Sequence, residues 1–294
     1  MAEHLNQAPT TPDRIVVIGA NGFVGSEIVA AAQKRGLTVL ALGRPELNLL
    51  SDNGATTLAG SLQPNDSVVF VSAKAPCKDY VMFLENIILA KTALDGLKGK
   101  QLAHFLYISS DAVYSDSNTP LVEDSITAPD NLHGQMHVAR EIMFQSSLGE
   151  TPFATLRPTL IYGARDPHNG YGPNRFRRLV KKGEPIELFG KGEERRDHVS
   201  VRDVAELAML MCEHKTVGAV NAVTGDVASF MDLAQMTVGW GAKPVPIKSL
   251  PRSSPMPHGG YRPFDSSGVL ALFPTFRFTT IEDGLRDAFQ EDRG

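Results

Sequence analysis

Three groups of residues in this 294-residue chain have types and spacings that could do chemistry. The first is Gly19-Ala20-Asn21-Gly22-Phe23-Val24-Gly25, which directly follows the β-branched run Arg14–Ile18 and opens a stretch apolar at helical spacing. Glycine permits a tight turn and close approach of the backbone to a pyrophosphate, while the first-turn amides and the helix dipole favour an anion. The G-x-x-G-x-x-G spacing differs by one residue from the commoner dinucleotide fingerprint. Its place between first strand and first helix makes Gly19, Asn21, Gly22, Phe23, Val24 and Gly25 the expected cofactor loop. The second is Arg44, after Ala41-Leu42-Gly43. An acid at this distance selects NAD, and a basic residue suits a 2′-phosphate. The strand end carries no acid, so NADP is expected, with NAD possible; the plainer reading is that Arg44 ends a strand in solvent. The third is His133 and His137, four apart on one helical face with Cβ atoms roughly 5–6 Å apart. Such a pair can share a divalent ion, but needs a third ligand, for which Asp111 is the only neighbour at hand. No metal is expected.

The elements that must position these residues alternate. Strands are expected at Arg14–Ile18, Thr38–Leu42, Val68–Val71, Phe105–Ser109, Phe153–Arg157 and Ala219–Val223, and helices at Val24–Arg35, Tyr80–Leu97, Gly134–Leu148 and Val201–Glu213. Strands apolar on both faces, separated by amphipathic helices, imply a parallel sheet covered on both sides. The fold class expected is therefore α/β, a Rossmann-type doubly wound parallel sheet with a smaller C-terminal substrate lobe. Residues 1–13 read as a flexible polar tail and 14–160 as the dinucleotide-binding domain, with elements near 201–223 returning to it. Residues 161–294 read mainly as the substrate lobe; the Pro-rich stretch 241–263 shows no periodicity.

Composition narrows the class. The 29 Lys+Arg against 33 Asp+Glu give a net charge of −4, which leaves no electrostatic footprint for nucleic acid. Cys77 and Cys212 are the only cysteines, too few for a disulfide scaffold, and read as apolar fillers. No secretory leader or membrane-length apolar run is present, so a cytoplasmic protein with no membrane partner is expected. Arg175, Arg177, Arg178, Lys181 and Lys182 form a basic cluster at helical spacing, read as a solvated face or a diphosphate contact.

Together the glycine loop, Ser109-Ser110-Asp111-Ala112-Val113-Tyr114, Leu156-Arg157-Pro158 and Arg196-Asp197-His198-Val199 resemble the extended short-chain dehydrogenase/reductases, the NAD(P)-dependent nucleotide-sugar epimerases, dehydratases and reductases. Ser109 to Glu141 follows the order of the dTDP-4-dehydrorhamnose reductase type. The resemblance implies cofactor contacts from Ser72, Ala73, Lys74, Asn86, Ser109, His137 and Pro158. It places the catalytic Ser/Thr at Ser110 and an acid at Asp111. It assigns the nucleotide-linked substrate to Tyr114, Asn174, Arg196 and Arg262, with the two arginines on the diphosphate. It also implies a homodimer built from the helices Tyr80–Leu97 and Gly134–Leu148.

One departure stands out. Where the family has Tyr-x-x-x-Lys, this chain has His133-Gly134-Gln135-Met136-His137, and no other Tyr-x-x-x-Lys occurs. Free tyrosine, with a pKa of about 10, needs a lysine to bring it toward neutral pH, whereas histidine starts at about 6.5. The two replacements are thus mutually coherent: His133 as general acid/base, His137 as ribose anchor or proton relay. The rival expectation is a non-redox NADP-binding sensor or scaffold that has lost catalysis.

Overall fold

The computed structural model describes residues 2–291. In chain order it forms β1 (Glu3–His4), β2 (Arg14–Ile18), α1 (Phe23–Lys34), β3 (Val39–Leu42), α2 (Gly54–Ser61), β4 (Asp66–Phe70), α3 (Tyr80–Leu97) and β5 (Leu102–Ile108). A short 3-10 turn, Asp111–Val113, precedes α4 (Leu132–Ser147), β6 (Phe153–Pro158), β7 (Leu160–Tyr162), α5 (Pro173–Lys182), β8 (Ile186–Phe189), β9 (Arg195–Ser200), α6 (Val201–Glu213) and β10 (Thr216–Ala222). Then come β11 (Val227–Ser229), α7 (Phe230–Gly239), β12 (Ile247–Leu250), α8 (Ser267–Leu272) and α9 (Ile281–Glu291).

The main sheet runs β1-β10-β6-β5-β4-β2-β3, with every neighbouring pair parallel except β1 with β10. Period-two alternation sorts the strand side chains between two cores. Ile15 and Val17 pack with Ile28 of α1 and Val204, Leu207 and Met211 of α6. Val16 and Ile18 pack with Leu58 of α2, Leu89 and Ala93 of α3 and Phe144 of α4. Strand order reverses between β2 and β4, which puts a crevice at their carboxyl ends, where ligands of doubly wound sheets bind.

The C-terminal elements form two small sheets, β11-β9-β7 and β12-β8. Tyr162, Phe176, Ile186, Phe230, Leu233 and Phe289 close their core with α5, α7 and α9. These strands run only three to six residues, too short for a period to be read from the residues alone.

The opening residues correct the expectation of a free tail. Glu3–His4 pairs with Thr216–Val217. His4 bonds Thr216 Oγ1 through Nδ1 and the Leu272 carbonyl through Nε2, and its ring stacks on His214 at 4.2 Å. A polar segment is ordered wherever its donors find fixed partners. Among the described residues no helix is long and apolar enough to cross a membrane.

Candidate active site

The glycine loop is built by contact rather than by turn type alone. Gly19 holds φ +98°, and a Cβ there would come 2.7 Å from the Ser72 backbone nitrogen. A Cβ on Gly25 would collide with the Gly19 carbonyl oxygen. Both positions therefore admit only glycine, and α1 can start against the end of β4. The helix begins after Gly22 with no side-chain cap and no acid in its first turn, so its leading amides keep their donors for an anion. Asn21 lies over Gly43, binding the loop to the end of β3.

A cleft of about 840 Å³ starts here and runs across the carboxyl ends of the strands. Gly19, Asn21, Gly22, Phe23, Val24 and Arg44 line one end. Gly25 is buried behind it, shaping the turn without facing the cleft. Arg44 is exposed on the rim, and the Gly43 N–H donates to Glu46 Oε2 at 3.1 Å, so a carboxylate does stand close to this strand end. Bare glycine backbone, an uncapped helix start and an exposed guanidinium in one open trough fit an adenine dinucleotide.

Ser72, Ala73, Lys74 and Pro158 line the middle of the cleft. Asn86 does not reach it. Fully buried, its amide accepts from Lys74 N–H at 2.9 Å and donates to the carbonyls of Lys74 and Met82. It shapes the Ser72–Lys74 loop from behind, which corrects its expected cofactor contact. Ser109 lines the cleft, but its hydroxyl turns back to Glu141 Oε1 at 2.5 Å. Glu141 is taken up by Arg157 at 2.6 Å.

His133 and His137 both line the cleft, their rings edge to face with centroids 4.8 Å apart. The Cys77 N–H lies 3.4 Å from His133 Nδ1. His137 Nδ1 lies 2.7 Å from the Tyr107 hydroxyl. Burial lowers the pKa of both imidazoles, His137 the more strongly, and Arg140 adds to this. Asp111 pulls His133 the other way. Burial thus favours the neutral form of both rings. Asp111 faces Arg262 at 3.7 Å and accepts from Ser110 Oγ at 3.3 Å. Among the described residues no third His, Cys, Asp or Glu completes a metal set with the pair.

Ser110 sits at the start of the 3-10 turn, its Oγ accepting from Ala112 N–H at 3.1 Å while the residue lines the cleft. Burial raises the pKa of Asp111, against the opposing charge of Arg262. Tyr114 corrects its expected substrate contact: it is buried away from the cleft, and its hydroxyl donates to Asn221 Oδ1 and accepts from Arg157. Its carbonyl accepts from Arg262 Nη2 at 2.7 Å, so it positions the arginine instead. Arg196 and Arg262 line the far end. Arg196 donates to Glu194 Oε1 at 2.5 Å and to the Pro257 carbonyl. Asn174 lines the cleft and accepts from Gly163 N–H at 3.1 Å, fixing the turn that rests on Phe23. Of the basic cluster, Arg177 is buried on backbone carbonyls and Arg178 caps the Asp166 loop, so neither is a solvated charge.

Sequence reading missed Tyr107, Arg140 and Glu194. Arg140 had a signal: a charge on the helix face that also carries Met136 and Phe144 has to be buried. Glu194 gave no such signal, because it lies just before β9 and meets Arg196 only through the local bend of the chain.

The NAD dependent epimerase/dehydratase family model matches residues 15–223. The chain is 25% identical over 306 aligned positions to ADP-L-glycero-D-manno-heptose-6-epimerase of Alkalilimnicola ehrlichii, covering 93% of this chain and 95% of that protein. Among solved structures it shares its fold with UDP-glucose 4-epimerase of Thermus thermophilus complexed with NAD, at TM-score 0.81, 22% identity, and coverage of 96% and 99% of the two chains. It shares it also with a GDP-L-fucose synthetase from Naegleria fowleri bound to NADP, at TM-score 0.83, 16% identity, and coverage of 97% and 95%. With a cleft of this design and a match spanning more than half its length, the chain belongs to the NAD-dependent epimerase/dehydratase family.

Proposed function

We propose that this protein interconverts an alcohol and a carbonyl on a nucleotide-linked sugar or related small substrate, reducing or epimerising it with NADP. The carrying observation is the continuous cleft that joins the glycine cradle to Ser110, His133, Arg196 and Arg262. When bound, the nicotinamide supplies or accepts hydride. Ser110 hydrogen-bonds the substrate oxygen, and His133 exchanges a proton with it at Nε2: its imidazolium gives the proton as the carbonyl is reduced, and the neutral ring, with Nε2 bare, takes it back as the alcohol is oxidised. Asp111 orients Ser110 and Arg262. The two arginines hold the diphosphate, a task suited to the guanidinium fork. His137 anchors the ribose beside Ser72–Lys74, and Arg44 meets the 2′-phosphate. The similarity to nucleotide-sugar epimerases supports the substrate class. The order of residues from Ser109 to Glu141 supports a reductase of the dTDP-4-dehydrorhamnose kind.

The absence of tyrosine and lysine at 133 and 137 favours a second reading, an NADP-binding sensor or scaffold without turnover. Side-by-side titration with NADPH and NADH, followed by a turnover screen on 4-keto nucleotide sugars, decides between them. Tighter NADPH binding that Arg44→Ala abolishes, with turnover, supports the enzyme. Binding without turnover supports the sensor, and binding of neither nucleotide overturns both.

We further propose a homodimer through α3 and α4. Tyr80, Val81, Leu84 and Ile88 form an exposed apolar stripe on α3, and Leu132 and Ile142 extend it on the neighbouring α4. Contiguous apolar surface of this kind marks an interaction site.

A further inference from the structure

The Tyr107 hydroxyl, on β5 beneath His137, has one partner among the described residues, His137 Nδ1 at 2.7 Å. Tyr107 is 1% exposed, and burial raises its phenol pKa, so it stays protonated. A buried hydroxyl with one partner donates to it, since otherwise its proton would be left unbonded at a cost of about 1–3 kcal/mol. The bond therefore runs from the phenol to Nδ1, and the imidazole proton must be on Nε2.

One turn further along α4, Arg140 is fully buried with no carboxylate within ion-pair distance among the described residues. Its guanidinium lies between the rings of Phe70 and Tyr107, 4.9 and 5.0 Å from their centroids. It donates to the Ser72 carbonyl at 2.5 Å and to Asn86 Oδ1 at 3.4 Å. A permanent cation without a counter-charge opposes a second positive charge above it. The other titratable neighbours do not reverse this. His133, on the same helix, meets His137 by its ring edge, and a charge on it opposes the His137 imidazolium as Arg140 does. Lys74, from the loop after β4, is paired with Glu85 of α3 at 2.6 Å. Asp111, on the 3-10 turn, faces Arg262.

We propose that Tyr107 and Arg140 are positioning residues that hold His137 as a fixed, uncharged Nε2–H donor to the cleft. The family's lysine is thereby replaced by a neutral donor with the fixed charge displaced beneath it. The purpose assigned to this donor rests on the cofactor reading above, but the state of the ring does not, and it can be read without cofactor.

The test is long-range ¹H–¹⁵N correlation on the cofactor-free, ¹⁵N-histidine-labelled protein. His137 is expected as the neutral Nε2–H form, unchanged from pH 8 to pH 5. An Nδ1–H tautomer, or a titration midpoint near 6.5, overturns the proposal. Tyr107→Phe should mix the tautomers and raise the NADPH Kd about tenfold, the effect of one hydrogen bond. Arg140→Met should raise the pH at which the His137 imidazolium appears, and Arg140→Lys should return it to the wild-type value. Tautomers unmoved by Tyr107→Phe overturn the proposal. If either variant fails to fold, the wild-type spectrum decides alone. A fixed ring in a protein that binds no dinucleotide overturns the cofactor reading and leaves this one standing.

Discussion

Glu194 and Arg196 meet at 2.5 Å at the substrate end of the cleft, and Arg252 closes on the other carboxylate oxygen of Glu194 at 3.3 Å. Both members of the closer pair are more than nine-tenths buried, so water screens their attraction little. Arg196, proposed above to hold the diphosphate, is thus partly neutralised by the protein itself. Glu194→Gln keeps an oxygen for Arg196 but removes the charge. It is expected to tighten binding of a nucleoside diphosphate several-fold and to steepen its salt dependence. Arg196→Met should weaken the same ligand by about 10- to 100-fold, the worth of a charge-assisted hydrogen bond, with NADPH affinity unchanged. Calorimetric titration with UDP and with NADPH measures both.

On the proposed mechanism, turnover rests on His133. His133→Phe keeps an aromatic ring in the site and removes both nitrogens. It should lower kcat by about 10²-fold or more, the contribution of general acid–base catalysis, while the NADPH Kd stays within about twofold. Because burial, aided by Arg140 and opposed by Asp111, lowers the imidazole pKa from its ordinary 6.5, the acid limb of kcat/KM for alcohol oxidation should fall below pH 6.5. Retained turnover in the Phe variant, or an acid limb above pH 6.5, refutes the assignment.

The cofactor loop was legible in sequence because its chemistry is local. Gly19 to Gly25 act through a turn and a helix start, and α3 (Tyr80–Leu97) and α6 (Val201–Glu213) follow from their apolar period and end residues. Asn86 and Tyr114 were misplaced because both are polar residues beside site positions. Which way such a side chain points depends on a partner far along the chain: the Lys74 backbone for one, Asn221 for the other. Tyr107 and Arg140 were silent for the same reason. Their meaning comes from the packing of β5 against α4, and neither residue alone suggests it.

The dimer has a direct test. Leu84 is 54% exposed on α3 and Ile142 62% exposed on α4. Leu84→Glu with Ile142→Glu places two charges in the proposed contact without disturbing the cores beneath. Sedimentation should show the wild type at twice the chain mass and the double variant at the chain mass, with the cooperativity of unfolding retained. A wild type that sediments at the chain mass at micromolar concentration refutes the dimer.

Acid should unfold this protein through two buried histidines, His104 and His198. His104, on β5, bonds the Thr216 carbonyl through Nε2 at 2.7 Å, and its Nδ1 is buried without a partner. His198, on β9, bonds the Arg196 carbonyl through Nδ1 at 3.2 Å, and its Nε2 is likewise unpartnered. Burial holds each at about 4 in the folded protein, against an ordinary 6.5. The unfolded chain therefore binds more protons than the folded one below pH 6.5. The stability is fully present above that value and is lost as pH falls toward 4. Between pH 7 and pH 5 each imidazole is worth about 2 kcal/mol. Two such losses are a large share of a typical net stability of about 5–15 kcal/mol. Asp197 and Asp203, raised by burial, take up protons when folded and offset part of this. His104→Gln keeps an N–H for Thr216 and cannot be protonated. Its urea midpoint should therefore fall less than that of the wild type between pH 7 and pH 5, and an equal fall in both proteins would contradict the assignment.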